Sequence, residues 1–284
     1  MKNKNFYASQ VLLSCWIFFF FLLFTSQSFS QEVSASPSAL LPPPVSSPAP
    51  TATPLLEKTD QHSSNNQTQG TTDYCKYSSL HVDGPYIAMT FDDGPSPTLT
   101  PRLLDILKEK GVKATFFVIG QNVLQAPQIV ARAAQEGHEI GNHSWSHPAF
   151  TKISTQRVEE EIEKTSQAIF QAIGKKPTLL RPPYGAMNAR LGRMIEKNDQ
   201  LTIIFWSVDP LDWKSPGPKI VAQRLIAGAK PGAILLSHDI KAGTIQAIPT
   251  VIDELKSKGY QFVTVSELIA LKSNKTPKAI SINQ

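Results

Sequence analysis

Two adjacent carboxylates at the end of an apolar segment are the first residues of the chain with an evident chemical use. Asp92 and Asp93 follow the apolar residues 86–91 and stand directly before Gly94 and Pro95. Successive side chains of a strand point to opposite faces, so both carboxylates can reach one site only where the strand breaks, and the Gly-Pro pair provides that break. Adjacent carboxylates repel each other unless a cation lies beside them. The pair therefore favours a metal ligand next to a general base, with an ordinary Asp-Gly turn as the alternative.

Two histidines four residues apart form the second motif, HSWSH. His143 and His147 are two of only six histidines in the chain. Imidazoles at this spacing can bind one metal ion, and Pro148 disfavours a helical conformation at His147. The motif indicates a metal site in a loop, although two unrelated surface histidines would have the same spacing.

The third motif, RPPYG, begins with an arginine in apolar surroundings. Arg181 follows Leu179 and Leu180, and its charge needs a carboxylate partner if it is buried. Asp92 is the natural candidate for that partner. A structural salt bridge without a role in catalysis would also account for the motif.

Two further polar motifs, DPLDW and LLSH, follow apolar segments nearer the C-terminus. Asp209 directly follows residues 202–208, and Trp213 offers a flat apolar face that suits either a sugar ring, an acetyl methyl group or the protein core. His238 ends the apolar segment 233–237. A neighbouring carboxylate such as Asp209 would raise the pKa of His238 and keep it protonated as a general acid.

The segments that must position these motifs alternate between strand and helix patterns. The predicted strands are residues 86–91, 114–119, 138–142, 179–181, 202–208, 233–237 and 262–265. Four predicted helices are residues 101–110, with Thr100 as cap, and residues 127–135, 156–172 and 219–226. A fifth predicted helix ends at residue 258, and Pro249 should begin or kink it. A short sixth helix is capped by Ser266. Apolar strands that alternate with helices predict a parallel sheet covered on both faces. About seven repeats favour an α/β fold of the barrel type, in which functional residues lie at the C-terminal strand ends.

The N-terminus has the pattern of a secretory signal. Lys2 and Lys4 precede the apolar residues 11–24, and the small residues Ser28 and Ser30 follow. The apolar run is short for a bilayer-spanning helix, which favours a signal peptide cleaved after Ser30 over a retained membrane anchor. The next segment is rich in Pro, Ser and Thr and cannot bury enough apolar surface to fold. The predicted divisions are residues 1–30 as signal or anchor, 31–72 as a disordered linker, 73–272 as one globular domain and 273–284 as a tail.

Composition limits the classes of function. The net charge of +5 includes Lys2 and Lys4, and no run of five like charges occurs, so nucleic-acid binding has little support. Cys15 lies in the N-terminal apolar run, which leaves Cys75 without an internal disulfide partner in a processed chain. No base stands near Cys75 in sequence, so we expect no nucleophilic role for it.

Together, the motifs TFDDGP, HSWSH, RPPYG, DPLDW and LLSH resemble, in type and order, those of the polysaccharide deacetylase family, also called carbohydrate esterase family four or the NodB-homology family. The resemblance covers residues 86–271. It implies a distorted (β/α) barrel that holds one divalent metal ion, zinc first and cobalt, nickel or manganese as alternatives. It also implies a hydrolase that removes N-acetyl groups from N-acetylglucosamine units of a polysaccharide such as peptidoglycan or chitin and releases acetate.

The resemblance implies three groups of site residues. The implied metal ligands are Asp93, His143 and His147. The implied catalytic residues are Asp92 as base, Arg181 that orients Asp92, Tyr184 whose backbone N–H contributes to an oxyanion hole, and Asp209 paired with His238 as general acid. The implied substrate-binding residues are Trp213, Leu236 and Tyr184.

Two alternatives to this activity stay open at the level of sequence. The same chemistry could act on another acetylated glycan such as acetylxylan, or the domain could be a secreted glycan-binding module without catalysis. For either enzyme we expect a monomer that is secreted or held in the cell envelope. We expect it to bind an N-acetylated polysaccharide and not to bind nucleic acid. It would contact a membrane only through an uncleaved N-terminal segment.

Overall fold

The computed structural model describes residues 74–272 of the chain. The predicted signal or anchor, the linker and the C-terminal tail lie outside the described residues and stay predictions. Among the helices between residues 74 and 272, none is both long enough and apolar enough to cross a bilayer.

Within residues 74–272, eight parallel strands form the centre of the fold. They are β1 (Lys76–Tyr77), β2 (Tyr86–Asp92), β3 (Thr115–Val118), β4 (Glu139–Asn142), β5 (Leu179–Leu180), β6 (Thr202–Ile204), β7 (Ile234–Leu235) and β8 (Gln261–Val263). Their order is β1-β6-β5-β4-β3-β2-β7, and β8 also pairs with β2. The segment after β6 returns to β7, because Leu236 N donates to Val208 O at 2.9 Å and Ser207 N donates to Ile234 O at 3.0 Å. These bonds connect the segment that follows β6 to β7 at the opposite edge of the sheet, and the predicted distorted (β/α) barrel is confirmed.

In the described part of the chain, eight α-helices surround the strands. They are α1 (Thr100–Glu109), α2 (Gly120–Gln125), α3 (Pro127–Gln135), α4 (Thr155–Ile173), α5 (Ala189–Asp199), α6 (Pro218–Gly228), α7 (Ala242–Ser257) and α8 (Val265–Ala270). The sequence pattern did not predict α2 or α5. In α5, Gly192 lowers the helix propensity, and the reason for glycine is tertiary: a Cβ at this position would overlap the ring of Tyr74.

Two predicted helix caps are wrong. Leu99 precedes α1, and Thr100 lies inside the helix with its Oγ1 accepting from Ser96 N at 2.7 Å. Thr264, not Ser266, caps α8, and it forms a capping box with Glu267. The helix α7 runs continuously from Ala242 to Ser257 with Pro249 inside it, so Pro249 does not begin the helix.

The core has two faces because side chains alternate along each strand. Inside the barrel, one apolar side chain from each of five strands packs together with α8; the five are Ala88, Phe117, Leu179, Ile204 and Ile234. The opposite strand faces pack against the helices through side chains such as Ile87, Met89, Phe116 and Leu235. The interior of the barrel is therefore filled with apolar side chains.

Candidate active site

A cavity of about 430 Å³ opens at the carboxyl ends of the strands. Its lining is Asp92, Asp93, His143, His147, Pro182, Tyr184, Trp206, Asp209, Trp213, Leu236 and His238. Nine of the ten residues implied by the sequence motifs are in this set, and the tenth, Arg181, contacts Asp92. The fold thus brings together residues that lie up to 146 positions apart in the chain.

Three side chains converge as a candidate set of metal ligands. Asp93 Oδ1 lies 3.4 Å from His143 Nε2 and 3.2 Å from His147 Nε2, and the two nitrogens are 3.2 Å apart. A carboxylate with two imidazoles is a donor set typical of zinc and other divalent transition metals. Within residues 74–272, this is the group of acidic and histidine side chains that could hold a metal ion.

The hydrogen bonds around these three residues fit a metal ion. His143 Nδ1 lies 2.7 Å from Arg181 O, an acceptor only, so Nδ1 carries the proton and Nε2 turns its lone pair to the cavity. Asp93 Oδ1 is buried and has no hydrogen-bond partner among the described residues. Because a buried, unpaired acceptor is costly, a cation at this point would satisfy it.

The protonation states of two ligands also suit a metal. Burial raises the pKa of Asp93, but the close approach of the His143 imidazole and the charges of the nearby histidines outweigh burial and lower it. Burial, followed by the charge of His143, lowers the pKa of His147. Both shifts favour the forms that bind metals, which are the carboxylate and the neutral imidazole.

The backbone at the site is held in an uncommon conformation. Asp93, Ser144, His147 and Tyr184 all have positive φ, at 74°, 65°, 61° and 59°. Left-handed backbone at residues other than glycine costs free energy and persists only where the surroundings hold it. In the histidine loop, Asn142 Oδ1 accepts from Ser144 N at 2.8 Å, and Ser144 Oγ accepts from His147 N at 3.0 Å.

Asp92 is held beside the ligand set by a buried arginine. Arg181 Nη1 donates to Asp92 Oδ1 at 2.7 Å and to Thr90 Oγ1 at 2.7 Å, and Nη2 donates to Phe205 O at 3.0 Å. The guanidinium is fully buried and lies over the ring of Phe117 with 4.2 Å to the ring centroid. Asp92 Oδ2 remains directed towards the cavity, 3.7 Å from His143 Nε2. Asp92 is thus placed to accept a proton without belonging to the ligand set.

The expected pairing of Asp209 with His238 is wrong, because Asp212 takes that place. His238 Nδ1 lies 2.7 Å from Asp212 Oδ1, while Asp212 Oδ2 accepts from His238 N at 2.8 Å and from Thr244 Oγ1 at 2.6 Å. Asp209 lines the cavity, but its Oδ1 accepts from Leu211 N at 2.8 Å. A 3-10 turn at Asp212–Lys214 directs Asp212 inward, and the spacing of DPLDW alone did not reveal it.

His238 is cationic at neutral pH in this arrangement. Burial lowers its pKa, but the hydrogen bond and charge of Asp212, with the charges of Asp92 and Asp93, outweigh burial and raise the pKa to about 9. Its Nε2 faces the cavity, 4.0 Å from Asp93 Oδ2. The imidazolium is therefore placed to donate a proton to a molecule bound there.

Aromatic side chains form the rim of the cavity. Tyr184 is 71% exposed and packs edge-on against His147, with 4.6 Å between ring centroids. Trp213 is 49% exposed, so it is not the core residue that its apolar character would equally have allowed. Leu236 is buried in the wall. Pro182 and Trp206 also line the cavity, and the sequence did not indicate either as a site residue. Pro182 stands in the motif RPPYG, whereas Trp206 lies in an apolar segment that indicated only a strand.

Comparisons with known proteins agree with this geometry. A model of the polysaccharide deacetylase family matches residues 80–203. The peptidoglycan-N-acetylglucosamine deacetylase PgdA of Listeria monocytogenes is 50% identical over 186 residues, which are 66% of this chain and 39% of that protein. A peptidoglycan-N-acetylglucosamine deacetylase of Bacillus cereus is 40% identical over 190 residues, which are 66% of this chain and 89% of that protein.

A solved structure has the same fold. The peptidoglycan deacetylase PdaC from Bacillus subtilis has a TM-score of 0.64 at 40% identity, over 66% of this chain and 92% of that one. The matched length, the identities and the shared fold support one another. The chain therefore belongs to the polysaccharide deacetylase family.

Proposed function

We propose that the chain is a metal-dependent hydrolase that removes N-acetyl groups from N-acetylglucosamine units of a cell-wall polysaccharide. The observation that carries the proposal is the placement of three groups around one cavity. The three groups are a candidate ligand set, a separate carboxylate held by Arg181, and a histidine that the Asp212 carboxylate keeps in its protonated form. The two relatives and the solved structure described above are named as peptidoglycan deacetylases, which supports peptidoglycan as the substrate.

Amide hydrolysis needs each of these groups. The acetyl carbonyl is stabilised by resonance, and a divalent ion bound by Asp93, His143 and His147 would supply Lewis acidity that polarises it. Asp92 accepts the proton of the attacking water, and Arg181 keeps its carboxylate turned to the cavity. The backbone N–H of Tyr184 donates to the oxygen that gains negative charge. One such donor is typically worth about 3 kcal/mol in the transition state.

His238 deals with the poor leaving group. As the C–N bond breaks, its imidazolium gives a proton to the nitrogen, so that the sugar leaves as an amine and the acetyl group as acetate. A positioned acid or base contributes roughly 100- to 10,000-fold to the rate. Trp213 and Leu236 would contact the acetyl methyl group, and the exposed ring of Tyr184 would contact the sugar.

Zinc is the proposed metal, with cobalt, nickel or manganese as alternatives, since two nitrogens and one carboxylate oxygen suit all of them. We also propose that the chain acts as a monomer outside the cytoplasm, either secreted or held in the cell envelope. The N-terminal pattern of lysines, an apolar run and small residues supports that location.

The test measures acetate release by the full chain. The chain is stripped with a chelator, reloaded with zinc, and given peptidoglycan, chitin oligomers or acetylxylan. We expect acetate from peptidoglycan only in the reloaded sample. Preference for acetylxylan would point to the other glycan class, and glycan binding without acetate release would establish a binding module.

The variant Asp92→Asn tests the assignment of the base. Asparagine has nearly the same size but cannot accept the proton, and Asp92 is outside the ligand set. We expect zinc binding to be retained while turnover is almost completely lost. Full activity in this variant would contradict the role proposed for Asp92.

A further inference from the structure

Glu161 is a buried carboxylate that does not line the cavity, yet its hydrogen bonds point to the histidine loop. It lies on α4 with its side chain only 1% exposed. Its Oε2 accepts from Ser146 N at 2.6 Å, and its Oε1 accepts from Ser146 Oγ at 2.9 Å. Arg157, one turn earlier in the helix, pairs with Oε1 at 2.8 Å. A buried carboxylate is costly unless it is paired and hydrogen-bonded, and Glu161 meets both conditions through Arg157 and Ser146.

Ser146 is the residue directly before the candidate ligand His147. The two bonds to Glu161 fix the Trp145–Ser146 peptide unit and the Ser146 side chain, directly before His147, whose φ of 61° is left-handed. Left-handed backbone at a residue other than glycine is strained, and the contacts of its neighbours must outweigh that strain. The Glu161 carboxylate supplies two of these contacts.

The same helix also holds the beginning of the loop. Asn142 Nδ2 donates to Ile162 O at 2.8 Å and to Ser166 Oγ at 3.0 Å, and both partners lie on α4. The loop from His143 to His147 is therefore attached to one helix at both of its ends. A displacement of the Glu161 end would move His147 while leaving His143, whose Nδ1 is bound to Arg181 O, in place.

We infer that Glu161, paired with Arg157, is a positioning residue that acts through Ser146 to keep the His147 imidazole in the ligand set. This inference rests on the metal site of the proposed function. Outer residues that orient metal ligands typically contribute about 10- to 100-fold to metal affinity. Glu161 thus acts on the candidate metal site indirectly, since its own atoms do not line the cavity.

The experiment compares Glu161→Gln with Glu160→Gln in the full chain. Glutamine keeps the size of the side chain and one acceptor, but it loses the ion pair with Arg157 and the acceptor for Ser146 Oγ. Glu160 is the matched control, since it undergoes the same chemical change one position away, also pairs with Arg157 at 3.1 Å, and is 42% exposed. Zinc affinity is measured by competition with a coloured chelator. We expect about tenfold weaker binding for Glu161→Gln and wild-type binding for Glu160→Gln.

Two readouts separate positioning from a general loss of stability. The absorption spectrum of the cobalt-loaded protein reports ligand geometry and should change in Glu161→Gln but not in the control. The activity of Glu161→Gln should recover at saturating zinc. Wild-type zinc affinity together with an unchanged cobalt spectrum in Glu161→Gln would overturn the inference, even if the variant melted at a lower temperature.

Ser146→Ala keeps the inference testable if Glu161→Gln does not fold. Ser146 is exposed, and alanine removes the hydroxyl contact while it keeps the backbone N–H contact. We expect zinc binding that is weaker than in the wild type, because one of the two contacts between Glu161 and Ser146 is lost. Wild-type affinity in Ser146→Ala would contradict the inference. A wild-type chain that bound no zinc would instead overturn the proposed function itself.

Discussion

Asp212 and Asp209 differ in what their carboxylates contact, although three positions separate them in the chain. Asp212 is buried and makes hydrogen bonds to His238 and Thr244, whereas Asp209 accepts from the backbone of Leu211. Burial raises the pKa of Asp212, but the hydrogen bond and charge of His238 lower it more. The two residues thus stabilise each other as an ion pair at neutral pH.

Replacement of Asp212 by asparagine tests this pairing. The change removes the charge that keeps His238 protonated, so we expect the kcat for amide hydrolysis to fall by about 100- to 10,000-fold. Asp209→Asn, the matched change in the same motif, should cause a smaller fall. Steady-state kinetics of the two variants on one substrate give the comparison. A larger loss in Asp209→Asn would restore the assignment that the sequence first suggested.

His138 should make the stability of the fold depend on pH. The side chain is buried, and its Nδ1 accepts from Ala114 N at 3.1 Å. Burial, followed by the charge of Lys113, lowers its pKa from 6.5 to about 4. The unfolded chain therefore binds a proton near pH 6.5 while the folded chain does not. The stabilisation is complete above pH 6.5 and is lost as the pH falls towards 4, by about 2 kcal/mol at pH 5.

The variant His138→Asn tests this dependence. The amide Oδ1 of asparagine can accept the same backbone N–H, but it does not titrate in this range. Urea unfolding at pH 7.5 and pH 5 should show a smaller loss of unfolding free energy in the variant than in the wild type. Equal losses in the two proteins would assign the pH dependence to other groups.

At the scale of elements, the turn after β2 is fitted to the turn after β7. Asp239 is fully buried, and Thr100 Oγ1 at the start of α1 donates to its Oδ2 at 2.5 Å. A Cβ at Gly94 would overlap the Asp239 carboxylate. Glycine is needed at position 94 because a larger side chain would occupy the space of the Asp239 carboxylate. The close packing of Gly94 on Asp239 connects the segment that carries Asp92 and Asp93 to the segment that carries His238.

A pair of substitutions tests this fit. Gly94→Ala should destabilise the fold by about 1–3 kcal/mol, as overpacking typically does. Asp239→Ala in the same chain should recover part of that loss because it vacates the space, although Asp239→Ala alone destabilises by losing the bond to Thr100. Denaturant unfolding of the four proteins completes the cycle. Additive effects of the two changes would show that Gly94 is required for another reason.

At the scale of the whole molecule, the candidate metal site connects distant parts of the barrel. Asp93 follows β2, and both histidines follow β4, with β3 between these strands. An ion that binds only the folded arrangement stabilises it by about 2.7 kcal/mol at a concentration one hundred times its Kd. The metal should therefore contribute to stability as well as to chemistry.

Thermal unfolding measures that contribution. Zinc should raise the Tm of the full chain, and a chelator should reverse the increase. His147→Ala should remove most of the zinc effect while it changes the metal-free Tm little, because His147 is partly exposed and lies in a loop. An unchanged zinc effect in this variant would exclude His147 as a ligand.

The sequence by itself determined the class of fold and the identity of most site residues. Apolar segments that alternate with amphipathic ones require a parallel sheet covered by helices, because apolar strands must be buried on both faces. Parallel strands also point their carboxyl ends to one side of the barrel. Motifs that directly follow those strands therefore had to meet there, and nine of the ten implied residues line the cavity.

Only the tertiary structure decided which groups contact each other. The choice of Asp212 over Asp209, the bond between Glu161 and Ser146, and the space that requires glycine at position 94 depend on local turns and on how helices pack on the sheet. Residue type and spacing indicate periodic structure, but they do not specify a left-handed residue or the direction of a side chain after a strand ends. Contacts between residues far apart in the chain are fixed by packing, which no single segment of the sequence contains.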